Sequence, residues 1–111
     1  MSRPTLLYCR CAYAQVVPQG VKDEVLTRLC DAEVTFESVA DLCEMAAHRD
    51  PRLVELSRAA SEGGLRIAAC YERAVRGLFR QAGCPLPAEG VEVLNMRELA
   101  AEPLTQRMIG D

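Results

Sequence analysis

The residues of this chain best suited to chemistry are its thiols. Six cysteines stand among 111 residues, beside a single histidine, His48, and no tryptophan. Cys9 and Cys11 form a C-x-C pair, Cys43 and Cys70 stand singly in separate segments, and Cys30 and Cys84 complete the set. Thiolates act as nucleophiles, redox couples and ligands for soft metals. The count alone decides little, because unbridged Cys is also among the most buried residue types in ordinary cores. Other chemistries lack their residues. One histidine with no orienting motif supports neither a Ser-His-Asp nor a Cys-His nucleophile. Gly63-Gly64 and Gly77 match neither the dinucleotide fingerprint nor the P-loop.

Which thiols can act together depends on the elements that carry them. A chain of this length is one domain, residues 1–111, with a modest core. Half of it is apolar, about a quarter is charged, and glycine and proline number 7 and 6, which excludes disorder and a collagen-like repeat. Thirteen basic against sixteen acidic side chains leave a net charge of −3. With no basic block anywhere, that balance speaks against a nucleic-acid-binding surface. Near the N-terminus only Thr5 to Cys9 is apolar, too short for a signal core or a membrane span, so a cytoplasmic protein with no membrane partner is expected. In that reducing compartment six cysteines point to metal or redox chemistry before three disulfides.

Thr5-Leu6-Leu7-Tyr8-Cys9, bounded by Pro4 and Arg10, reads as a buried strand. Val21, Val25, Leu26 and Leu29 recur at helical spacing, predicting an amphipathic helix over roughly 20–30. Val34 and Phe36 alternate with polar neighbours, predicting a strand over 33–37. Ser38 heads a capping-box pattern that opens a short helix over 42–47, and Asp50-Pro51 starts another that Gly63-Gly64 stops. A strand over 65–70 precedes a helix over 72–82 that ends at Gly83. Val91 to Asn95 forms a fourth strand, 96–101 a last helical turn or two, and 102–111 a loose tail beyond. Strands alternating with helices in this way predict a small three-layer α/β/α domain around a mostly parallel four-stranded sheet, Rossmann-like or flavodoxin-like.

In such sheets the loops that leave the carboxyl ends of the strands gather at one edge, where ligands bind. Cys9 ends the first strand and Cys11 follows it, Cys43 lies just after the second, and Cys70 ends the third. These four are expected to meet at one rim, as a site for a tetrahedral zinc or an iron-sulfur cluster. Structural zinc sites come as paired C-x2-4-C knuckles, whereas here one C-x-C is joined by two single cysteines from separate loops. Such scattered ligands suit the wider polynuclear cluster. Cys30, at the end of the first helix, and Cys84, after Gly83, belong to neither group.

The same residues carry a resemblance. C-R-C after the first strand, D-L-C after the second, A-A-C-Y-E-R-A-V-R-G-L-F-R-Q-A-G and then V-L-N-M-R-E resemble the N-terminal domain of the heterodisulfide reductase A subunit family over about residues 8–98. The likeness is strongest from Cys70 to Gly83 and from Asn95 to Glu98. It implies an electron-transfer domain holding a 4Fe-4S cluster on Cys9, Cys11, Cys43 and Cys70, serving a larger redox protein or flavoprotein subunit as an oxidoreductase component and not as a complete enzyme. The chain departs from the family pattern at Ala12-Tyr13-Ala14 and Glu44-Met45-Ala46, and it has no flavin-binding or ferredoxin-like part.

Other readings stand beside this one. Cys9, Cys11 and Cys70 can form a thiol/disulfide redox enzyme or sensor, in which a C-x-C bridge would be a strained, reactive ring. The chain can also be a metal-free interaction module, its cysteines packed as small hydrophobes. Arg73, Arg76 and Arg80 recur along one helix as a solvated face paired with Glu72, or as a docking face for an acidic partner; Arg73, one turn beyond Cys70, can also offset the charge of a cluster. Asn95 and Arg97 fall at the same rim, as supporting or capping residues. His48 fits a helix end or solvent.

Overall fold

The computed structural model describes residues 4–10 and 18–110. Its elements in chain order are β1 (Thr5–Cys9), α1 (Gln19–Asp31), β2 (Glu37–Val39), α2 (Leu42–Ala47), α3 (Arg52–Glu62), β3 (Leu65–Ala69), α4 (Glu72–Gln81), β4 (Val91–Asn95) and α5 (Ala101–Ile109). The strands form one sheet in the order β2-β1-β3-β4, with every neighbouring pair parallel. This is the small α/β/α domain expected, in the order of the first four strands of a flavodoxin-like sheet. Helix α1 packs beside α5, and α2 packs beside α4.

The sheet buries both faces, so β1 and β3 are apolar almost throughout. Leu7, Leu65 and Ile67 are fully buried, with Val25 and Leu29 of α1, Phe79 of α4 and Leu104 of α5 packed among them. Side chains alternate across a strand, which sends Tyr8 and Cys9 to opposite faces. The Tyr8 hydroxyl donates to the Lys22 carbonyl at 2.9 Å and so pins α1 to its face of the sheet. On the other face, the Leu42 amide of α2 donates to Cys9 Sγ at 3.4 Å.

Three local expectations are corrected. The second strand runs Glu37–Val39, beyond most of the alternating stretch 33–37. Glu33 has φ 58 and turns the chain out of α1; residues 33–36 and the start of β1 line parts of one cavity, and the ladder begins at Glu37 opposite Leu7, Ser38 opposite Tyr8 and Val39 opposite Cys9. Val34 and Phe36 pack against the core without joining the ladder. With Ser38 taken up in the sheet, Asp41 is the residue that caps α2. Its Oδ1 accepts from the amides of Cys43 at 2.8 Å and Glu44 at 3.2 Å, as an N-cap carboxylate does.

The third correction is the C-terminus. The segment read as a loose tail forms α5, which buries Ala101, Leu104, Thr105 and Met108. Pro103 stops nothing, because it sits in the first helical turn, where an amide needs no intrahelical partner. The Arg66 guanidinium of β3 donates to the Met108 and Gly110 carbonyls and ties down the far end of the helix. Residues 96–99 make only a turn, with the Glu98 and Leu99 amides on the Asn95 carbonyl.

The other boundaries are as the sequence predicts. Asp50 Oδ1 accepts from the Arg52 amide at 2.9 Å and starts α3, and Gly64 at φ 95 turns the chain into β3. Gly83 at φ 88 ends α4, with its amide on the Arg80 carbonyl and the Cys84 amide on that of Phe79. This pair of bonds is a Schellman motif, and it gives Cys84 a backbone role at a helix end, away from the strand ends.

Candidate functional site

The strand order fixes where the thiols can meet. The chain leaves β1 toward β2 on one side and returns to β3 on the other, so the carboxyl ends of β1 and β3 face a crevice that no crossover covers. Cys9 ends β1 and is 2% exposed. Beyond it, the Arg10 amide continues the ladder to the Val39 carbonyl at 3.0 Å. Cys70 follows the last residue of β3 and is half-buried, and Cys43 lies in the first turn of α2, exposed to solvent. Cys11 lies outside the described residues.

Cys9 ends β1, Cys70 follows β3 and Cys43 stands in the helix after β2, with Cys70 and Cys9 close enough to act on Cys43 electrostatically. The Cys43 thiol is pushed above its ordinary range, first by burial around its sulfur. The charge of Asp41, a hydrogen bond to that carboxylate and the nearby Cys70 and Cys9 add to the effect. Each cause opposes forming a thiolate. Asp41 is therefore both the cap of α2 and the acid of the site. It is 2% exposed, held by the two α2 amides, and its charge faces the thiols.

Opposing this negative charge are the backbone dipoles of α2. Leu42, Cys43 and Glu44 are its first three residues, whose amides have no partner inside the helix. Two of these amides go to Asp41 and one to Cys9 Sγ. An amide aimed at sulfur stabilises the thiolate form and tunes a metal bound to it. The donor set is sulfur-rich, as a soft centre requires. Among the described residues no three His, Cys, Asp or Glu side chains stand close enough together to hold one metal ion.

Asn95 and Arg97 reach the expected rim. Asn95 Oδ1 accepts from the Arg97 amide at 2.8 Å, and the Arg97 guanidinium lies 5.0 Å from the centroid of the Tyr71 ring. Tyr71, next to Cys70, is 44% exposed and forms with Arg97 a cation-π pair on the β3-β4 side of the thiols. Cys30 is exposed near the C-terminal end of α1, before β2 begins. His48 closes α2 and contacts Asp50 at 3.6 Å, a helix-end position as expected.

Sequence reasoning missed Asp41 as a site residue and Tyr71 altogether. The signal for Asp41 was legible: an Asp immediately before Leu42-Cys43 is a stronger N-cap candidate than a Ser four residues back. Nothing in the sequence marks Tyr71, whose position depends on the turn after β3. No protein-family model, curated protein or solved structure matches the chain. No helix among the described residues is long and apolar enough to cross a membrane.

Proposed function

We propose that this chain is a small electron-transfer domain that holds a 4Fe-4S cluster on Cys9, Cys11, Cys43 and Cys70 at the carboxyl edge of its sheet, as a component of a larger oxidoreductase. The observation that carries the reading is that Cys9 ends β1, Cys70 follows β3 and Cys43 lies in the first turn of the helix after β2, with Cys70 and Cys9 near enough to Cys43 to act on it electrostatically. Single cysteines contributed from separate loops suit a polynuclear centre better than the paired knuckles of structural zinc. The resemblance of the C-R-C, D-L-C and A-A-C segments to the heterodisulfide reductase A subunit family supports the same ligand set. When bound, such a cluster takes up and gives back one electron at a time.

The chain's own residues serve that role in definite ways. The buried Cys9 and the apolar strand ends keep water from one side of the site, and the Leu42 amide donates to a ligand sulfur. Asp41 adds negative charge, which disfavours the more reduced, more negative state and lowers the reduction potential. A thiol/disulfide cycle fits less well. It needs an accessible thiolate, and Cys9, one of the thiols it would use, is buried.

The test is anaerobic purification with an absorbance spectrum and assays of iron and acid-labile sulfide. Brown protein with about four irons and four sulfides per chain is the expected result. A colourless, iron-free protein after anaerobic reconstitution overturns the reading.

A further inference from the structure

The exposed face of α4 carries an arrangement that the thiol site does not use. Arg73, Arg76 and Arg80 line a shallow groove of about 360 Å³ together with Glu72 and Gly77. Arg76 is locked in place, its guanidinium on Glu72 at 2.8 Å and on the Pro87 carbonyl at 2.9 Å. Arg73 and Arg80 are exposed and make no ion pair among the described residues. In a chain of net charge −3 this concentration of guanidinium groups on one helix face is a local reversal of sign.

Gly77 is the second observation. It lies in the interior of α4, where glycine weakens a helix relative to alanine. A Cβ at this position would meet nothing within 4 Å, so packing within the chain does not require the glycine. What the missing side chain does is leave a notch in the groove between Arg73 and Arg80. Space kept open at a cost in helix stability, with cations on either side, fits a surface that another molecule approaches closely.

We propose that this groove docks the acidic face of a redox protein and holds it beside the thiol site. Helix α4 begins two residues after Cys70, and Arg73 to Arg80 spans about 10 Å along the helix axis, so the groove starts at the rim and runs away from it. The Tyr71–Arg97 pair adds a further guanidinium at the same end. The three groove arginines are strung out in a line with Glu72 among them, which matches carboxylates spread over a protein surface. A phosphate group would call for donors converging on one point. The docking itself is independent of what the thiols hold; the partner's part in electron transfer rests on the cluster proposed above.

The test has two arms. In the first, full-length ¹⁵N-labelled protein, with and without iron, is titrated with poly-L-glutamate and with a single-stranded oligonucleotide of equal charge. Amide shifts centred on 72–80 with poly-L-glutamate, weakened by salt, are expected. R73E/R80E should lower the affinity at least tenfold and G77L severalfold, while R58E, on α3, should leave it unchanged. Circular dichroism of each variant confirms the fold. Absent shifts on α4, an equal loss in R58E, or preference for the oligonucleotide overturns the proposal.

In the second arm, chemically reduced acidic 2Fe-2S ferredoxin is mixed with iron-loaded protein. Slower reduction of R73E/R80E than of wild type at equal iron content supports the assignment of a redox partner, and an unchanged rate overturns it. If no variant loads iron, the cluster reading fails while the poly-L-glutamate arm still decides the groove.

Discussion

The amide of Leu42 donates to Cys9 Sγ across 3.4 Å, although 33 residues separate the two in the chain. One bond thereby joins the end of β1 to the start of the helix that follows β2, and it brings Cys43 to the buried thiol. The candidate site is built on that junction: a sulfur at a strand end, a helix terminus over it, and Asp41 capping the same helix.

Removing the thiols one at a time separates ligands from background. C9S, C43S and C70S should each reduce bound iron and sulfide to a small fraction of wild type after anaerobic reconstitution, and C11S should do the same. C30S and C84S should load as wild type does. Iron analysis on variants with confirmed circular dichroism reads the difference, and full loading of C43S would remove that residue from the set.

Asp41 should add to the effect of burial on the acidity of Cys43. Burial, the Asp41 charge and the Asp41 hydrogen bond all hold that thiol above its ordinary value of 9.0, so its alkylation in the metal-free protein should stay slow through neutral pH and rise only above pH 9.0. D41N keeps a capping side chain but removes the charge, and the rate profile should move toward lower pH. D41A should move it too and also lose about 1 kcal/mol of stability with the cap. Mass spectrometry of iodoacetamide-treated protein across pH checks all three.

Helix α5 should be essential to the fold. Leu104 is fully buried, and L104A should cost about 2–5 kcal/mol, as large-to-small core changes do. Truncation after Ala100 should prevent cooperative unfolding altogether. Exposed Gln106→Ala should leave the melting temperature nearly unchanged, which separates packing from mere shortening.

Asp50 provides a pH test at the start of α3. Its carboxyl is held below the ordinary 3.8, first by the Arg52 amide; burial, next in size, opposes this, and the Arg52 charge and the His48 hydrogen bond and charge add smaller lowering effects. A lowered acid stabilises the fold above its unfolded value and loses that contribution as pH falls through the folded one. Acid unfolding followed between pH 5 and pH 2 should therefore be shallower in D50N than in wild type below about pH 3.8. Identical acid limbs would show that the Asp50 charge contributes nothing measurable.

Much of this architecture is legible in the residues because short-range chemistry decides it. The period of Val25 and Leu29 buries one face of α1, Gly83 cannot be replaced in its left-handed turn without strain, and Asp50-Pro51 starts a helix wherever it stands. Reading failed where a distant partner outweighed the local signal. Val34 and Phe36 alternate as a strand does, but they pack against the core and the chain pairs with β1 only from Glu37. Ser38 resembles a cap, but the sheet claims its backbone. Pro103 looks like a stop, yet the core offers Leu104 and Met108 a place to be buried.

By itself, then, the sequence determined the kinds of element, their order and the placing of Cys9, Cys43 and Cys70 near strand ends, because helical period, alternation and turn chemistry act within a few residues. Tertiary structure decided which ends are neighbours. The β2-β1-β3-β4 order sets the ends of β2 and β3 on either side of β1, and the start of α2 lies against Cys9. From this follow the Leu42 amide on the sulfur, the Asp41 charge against Cys43 and the arginine groove beginning beside Cys70. These contacts depend on strand pairing between residues far apart in the chain, which no local pattern encodes.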